Sequence, residues 1–120
     1  MQREIKFRLY SDTLKVMFTP DTQISNLWAI KKTENGILRA GKGEILMQYT
    51  GLKDANGVEI YEGDIVRLLS SYTFGEFNVP VVFNDGMFEA LGSGLLVHAI
   101  AMNNAVVVGN IYENPEEYNH

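Results

Sequence analysis

Five oxygen-bearing side chains, four of them carboxylates, lie within eleven residues: Asp54, Asn56, Glu59, Glu62 and Asp64. Asp54-Ala-Asn56-Gly57 reproduces part of a calcium loop, in which alternate oxygens converge around a glycine turn. The full loop needs a third oxygen ligand after the second and a closing Glu, and this register lacks both. Acid–base work by paired carboxylates needs two groups in one pocket with pKa values driven apart. Glu62 and Asp64 instead sit two residues apart on a bend signalled by Gly63. Turn and capping roles account for Asp54, Asn56 and Asp64 without any ligand, because Asp and Asn side chains accept nearby backbone N–H groups. We therefore expect no catalytic residue and no metal ligand here.

The remaining nucleophiles and bases form no known constellation. His98 lies in an apolar run and His120 is the last residue, so neither shows the spacing of a zinc site. Gly92-Ser-Gly94 reads as a loop rather than a nucleophile elbow. No Gly-Lys-Ser/Thr or Gly-x-Gly-x-x-Gly signature occurs, and there are no cysteines to bind metal or form disulfides. No cofactor is expected. The aromatics Tyr49, Tyr61, Tyr72, Phe74 and Tyr112 admit two readings: a peptide-binding groove on a small barrel, or core and rim packing.

Charge is uneven along the chain. Residues 1–60 carry nine Lys/Arg and seven Asp/Glu, whereas residues 61–120 carry one, Arg67, against eight. A nucleic-acid surface needs clustered cations to displace phosphate counterions. Only the first half offers any, at Lys6, Arg8, Lys31, Lys32, Arg39 and Lys42. That reading is possible but not favoured. Opposite charge in the two halves also suits contact between copies of the chain. The charged N-terminus is no signal peptide, and no apolar run approaches the ~20 residues of a membrane span.

The elements that must carry these residues read as short strands. Residues 4–10 alternate apolar and charged, and with Leu14–Phe18 they predict a hairpin around Ser11-Asp-Thr13. Asp21 or Thr22 opens either a short helix through Trp28 or an irregular stretch, and Asn35-Gly36 marks a turn. Glu44–Thr50 predicts a strand, residues 53–57 a turn with Asn56-Gly57 as a positive-φ pair, and Val58–Tyr61 a short strand. Ile65–Leu69 follows as a strand, Ser70–Asn78 as a loop, and Val79–Asn84 and Met87–Leu91 as a hairpin about Asp85-Gly86. Leu95–Met102 is a strand or a helical turn, residues 105–112 are a final strand, and the tail beyond is mobile. The expected fold is mainly β with a minor helical part.

Several blocks resemble the YopX-like family of phage and prophage proteins. They are Arg3-Glu-Ile-Lys-Phe-Arg8, Met47-Gln-Tyr-Thr-Gly-Leu-Lys-Asp54, Asn56-Gly57, Ile60-Tyr-Glu-Gly-Asp-Ile-Val66 and Val108-Gly-Asn-Ile-Tyr-Glu-Asn-Pro115. Residues 19–43 and 70–104 carry no resemblance. The likeness implies one domain over residues 1–120, with an N-terminal hairpin part, 1–45, and an SH3-like barrel part at about 46–115. Structural roles in turns and strand entries are expected for Gly51, Asp54, Asn56, Gly57, Gly63, Asp64, Gly109 and Asn110. The likeness also implies a phage- or prophage-encoded protein that forms homo-oligomers; with no catalytic constellation and a two-signed charge distribution, we expect a non-enzymatic, cytoplasmic accessory protein that also binds a protein partner. Nucleic-acid binding is the alternative, and metal-assisted catalysis by Asp54, Glu59, Glu62 or Asp64 the third reading.

Overall fold

Among the described residues, apolar alternation and glycine turns give ten strands, one α-helix and a closing 3₁₀ turn. The computed structural model describes residues 6–19, 30–32, 38–40, 43–70 and 75–118. They fall into two units, Met1–Tyr49 and Thr50–His120. The fold is mainly antiparallel β, and one of its sheets curls into a half-barrel.

In the first unit, β1 (Phe7–Ser11) pairs with β2 (Val16–Phe18) and with the start of β5 (Glu44–Lys53). Leu9 and Phe18, Cα partners across the hairpin, bury together against Leu46. The turn between β1 and β2 is bonded at each step: the Leu14 N–H donates to Ser11 Oγ (3.0 Å) and the Lys15 N–H to the Ser11 carbonyl (2.7 Å). A second hairpin pairs β3 (Ile30–Lys32) with β4 (Leu38–Ala40). The helix expected from Asp21 through Trp28 lies outside the described residues.

β5 runs through the division at residue 50. Gly51 at φ +84 interrupts its alternation, so Tyr49 and Thr50 are buried in succession. Beyond it, β6 (Glu59–Tyr61) runs beside β5, and the Thr50 hydroxyl donates to the Ile60 carbonyl at 2.7 Å. A four-stranded sheet follows in the order β10-β7-β8-β9, from β7 (Asp64–Ser70), β8 (Gly75–Asn84), β9 (Met87–Ala90) and β10 (Val106–Asn110). Val66 and Leu68 of β7 and Val79 and Val81 of β8 face one core. Between β9 and β10, α1 (Leu96–Asn103) packs on β7 and β9 through Leu96, Ala99 and Ile100, an i, i+3, i+4 face. None of the helices among the described residues is long and apolar enough to cross a membrane.

Five local expectations are revised. β5 continues to Lys53 rather than stopping at Thr50. Gly57 alone takes positive φ (+82) in its turn, because the Asp54 side chain, not a left-handed Asn56, closes that turn. Much of the loop expected over Ser70–Asn78 is strand, since β8 begins at Gly75 and pairs back onto Leu69 and Leu68. The Leu95–Met102 ambiguity resolves to a helix ended by Asn104 at φ 51, ψ 50. The tail is folded over Pro115–Glu117, because Asn78 Nδ2 donates to the Glu117 carbonyl at 2.7 Å.

Candidate functional site

Asp54 follows the last residue of β5, where the chain must reverse within four residues to start β6. Its Oδ1 accepts the N–H groups of Asn56 (2.8 Å) and Val58 (2.9 Å). Its backbone closes the same turn, donating to the Val58 carbonyl and accepting the Gly57 N–H. Its Oδ2 accepts the Val107 N–H of β10 at 2.8 Å. One side chain thus forms a turn and ties that turn to a strand more than fifty residues away. At 7% exposure, its carboxylate is surrounded by three backbone donors, the arrangement that stabilises a buried anion without a cation.

Asp64 opens β7 in the same manner. Its Oδ2 accepts the Tyr61 N–H at 2.8 Å across the bend that Gly63 makes at φ +89. Gly63 also bridges two elements, donating to the Val81 carbonyl of β8 and accepting the Ile111 N–H just past β10. At the end of β10, Asn110 Oδ1 accepts the Tyr112 and Glu113 N–H groups, and its Nδ2 donates to Glu113 Oε1. Asn110 also bonds Asn114 in both directions, donating its N–H to Asn114 Oδ1 and accepting the Asn114 N–H at its carbonyl. Gly109 lies under this loop, where an added Cβ would meet Asn114 atoms at 2.8 Å. The Asp54 and Asp64 carboxylates of the central block, and the Asn110 side chain after it, are engaged by backbone N–H groups.

The other singled-out residues are scattered. Glu59 and Glu62 are half-buried, and His98 is exposed on α1. Among the described residues, no group of three or more His, Asp or Glu is placed to hold a metal ion. Tyr49, in the first unit, is buried with the Lys6 ammonium 4.9 Å from its ring centroid. In the second, Tyr61 is buried and Tyr112 half-buried, while Tyr72 and Phe74 lie outside the described residues. Buried Tyr49 and Tyr61 present little ring to a partner.

These arrangements span the segments on which a family model, "YopX protein", matches residues 4–117. The chain belongs to the YopX family. Two solved structures are similar over nearly their whole lengths. Protein EF1440 from Enterococcus faecalis is 28% identical with a TM-score of 0.66, covering 96% of this chain and 98% of its own. YopX from Bacillus subtilis is 20% identical with a TM-score of 0.60, covering 98% and 100%, a likeness of fold. Among curated proteins, none matches. In this YopX-family chain, the blocks that carry the family resemblance are the ones that build the turn at Asp54, the bend at Gly63 and the loop after Asn110.

Sequence reasoning missed two features. Asn78, in a segment read as loop, is buried, accepting Arg67 Nε at Oδ1 (3.2 Å) while donating to Glu117. Asn78→Ala is expected to cost about 1–2 kcal/mol, the loss of a buried amide's partners. It should also speed hydrogen exchange at the Glu117 and Tyr118 amides, which close the 3₁₀ turn. Unchanged exchange there would mean that Asn78 does not hold the tail. The second feature is a set of exposed apolar side chains, including Leu14, Val16, Phe83 and Met87. Leu14 and Val16 gave a faint signal by lying beside a turn rather than within a long alternating strand.

Proposed function

We propose that this YopX-family chain is a non-catalytic protein-interaction module that associates with itself and with a protein partner. The observation that carries the reading is the engagement of the Asp54, Asp64 and Asn110 oxygens by backbone N–H groups. A group already occupied in stabilising a turn is poorly placed to take a proton or a ligand, whereas large apolar side chains are free to be covered by protein. With the family resemblance, this supports a phage- or prophage-encoded accessory role in the bacterial cytoplasm. Light scattering after gel filtration, over a concentration series, is expected to give a mass above the 13.5 kDa of one chain. A strict monomer at the highest concentration would sink self-association. Affinity capture from lysogenic or infected cells tests for the partner.

One observation favours a second reading, nucleic-acid binding by the basic N-terminal half. The β3–β4 register makes Lys31 and Arg39 Cα partners, placing two basic residues opposite each other on one hairpin. Electrophoretic mobility of single- and double-stranded DNA and RNA is the check. Binding that weakens steeply with salt supports it, and no shift at low salt removes it. A metal-assisted enzyme using Asp54, Glu59, Glu62 or Asp64 is the third reading, and calorimetric titration with magnesium, manganese and calcium decides it.

A further inference from the structure

Asn-Gly is the dipeptide in which an asparagine most readily loses its amide, and Asn56-Gly57 is one. The glycine has no Cβ to obstruct the approach of its nitrogen to Asn56 Cγ. Once that nitrogen gives its proton to solvent, it attacks Asn56 Cγ. The N–Cγ bond forms, the Cγ–NH2 bond breaks, ammonia leaves and a five-membered succinimide remains. Water then opens the ring. Opening at the side-chain carbonyl gives an aspartate. Opening at the main-chain carbonyl gives an isoaspartate, whose backbone runs through the side chain and is longer by a methylene. Water is consumed and ammonia released, with no oxidant, cofactor or partner.

The turn holds the reacting atoms apart. Asn56 and Gly57 are exposed, and a Cβ added at Gly57 would meet nothing within 4 Å, so solvent reaches the pair. Yet the Gly57 N–H, whose proton must leave, donates to the Asp54 carbonyl at 3.0 Å. A turn closed by that bond, without positive φ at Ala55 or Asn56, gives Asn56 a ψ of about 0°. The Gly57 nitrogen then lies toward Asn56's own nitrogen, whereas ring closure needs it over Cβ. Asp54 resists the rotation that would bring it there. Its Oδ1 holds the N–H groups of Asn56 (2.8 Å) and Val58 (2.9 Å), one on each side of Gly57. Its Oδ2 is held in turn by the Val107 N–H of β10 at 2.8 Å.

We propose that Asn56 is a deamidation site kept closed by Asp54. While the turn stands, the amide is retained; when the turn opens, the succinimide forms. The isoaspartate product does not rebuild the turn. Its added methylene displaces the Gly57 and Val58 N–H groups from the Asp54 carbonyl and Oδ1, so the tie from this turn to β10 is loosened irreversibly.

Peptide mapping of the full chain tests this, because trypsin releases residues 54–67, in which Asn56 is the only Asn or Gln. The reference chain and all variants carry Asn35→Gln, which removes the other Asn-Gly pair of the sequence. In mildly alkaline buffer, the folded reference chain should convert Asn56 at least about tenfold more slowly than the same chain in urea, since opening the turn breaks a backbone bond and bonds to a carboxylate. Asp54→Ala should raise the folded rate by at least about threefold, with Asp54→Asn in its place if thermal melts show the alanine variant unfolded. Asn78→Ala lowers stability without touching this turn, so its rate should stay within about twofold of the reference. No conversion in urea overturns the site. Equal rates for the folded and unfolded chain, or Asp54 variants no faster than the reference, overturn the protection. Asn78→Ala as fast as the Asp54 variant assigns protection to global stability and overturns the role of Asp54. The isoaspartate form, isolated by chromatography, should exchange the Val107 N–H faster than the reference, and equal exchange overturns the loosening of β10.

Discussion

Replacing Asp54 with alanine is expected to lower folding stability by about 3 kcal/mol, the largest effect of any single polar substitution in the central block. Three backbone N–H groups lose a charged acceptor together. Asn56 and Val58 lie in an exposed turn, where water replaces part of the loss. Val107 lies in β10, with Asp54 bridging it to the turn, so its N–H loses a link that water replaces less well. Asp54→Asn separates charge from shape: the amide keeps one acceptor and turns an NH2 toward donors that need an oxygen. It should cost about 2 kcal/mol, since at least one N–H is left facing another donor. Urea midpoints should fall in the order wild type, Asn, Ala, with the slope unchanged. An alanine midpoint within error of wild type would refute the assignment of Asp54 as a structural tie.

Gly109→Ala should cost about 1–3 kcal/mol, the range for forcing extra volume into a packed site. The added Cβ would lie 2.8 Å from Asn114 Cβ and Oδ1 and 2.9 Å from Cγ. Asn114 cannot simply turn away, because its Oδ1 accepts the Asn110 N–H and its own N–H donates to Asn110. The clash is with one side chain, so a second change exposes it. Asn114→Gly alone removes one long hydrogen bond, whereas in the Gly109→Ala background it also removes the clash. The double-mutant cycle should show favourable coupling of about 1 kcal/mol between neighbours in contact. Additive costs would place the strain elsewhere.

Asp54, Gly63-Asp64 and Asp85-Gly86 were legible in the sequence because their chemistry is local. An Asp accepts N–H groups two to four residues away, and a glycine supplies positive φ wherever it stands. That the mainly β fold could be read at all follows from the same locality: strand alternation needs only neighbours in sequence. Residues 75–78 were misread because Gly75, Glu76 and Asn78 are polar or flexible. They become strand through pairing with Ser70, Leu69 and Arg67, which alternation within the segment does not encode. The run at Leu95–Met102 suits strand or helix alone, and burial of Leu96 and Ala99 against a neighbouring sheet decides for helix. The tail looked mobile because its anchor, Asn78, lies 39 residues away.

The tyrosines show the same division. Sequence left Tyr49 and Tyr61 open between groove and packing, since an aromatic suits either; their burial at 4% and 6% exposure is a property of the folded chain. Sequence by itself determined the β character, the turn positions, the charge asymmetry and the residues that resemble the YopX family, because each depends on composition or on neighbours a few positions apart. Only the tertiary structure decided that Asp54 reaches Val107, that Asn78 holds the tail, and that Leu14, Val16, Phe83 and Met87 face outward. The physical reason is distance along the chain: a hydrogen bond or a buried face between remote residues exists only after folding has brought them together.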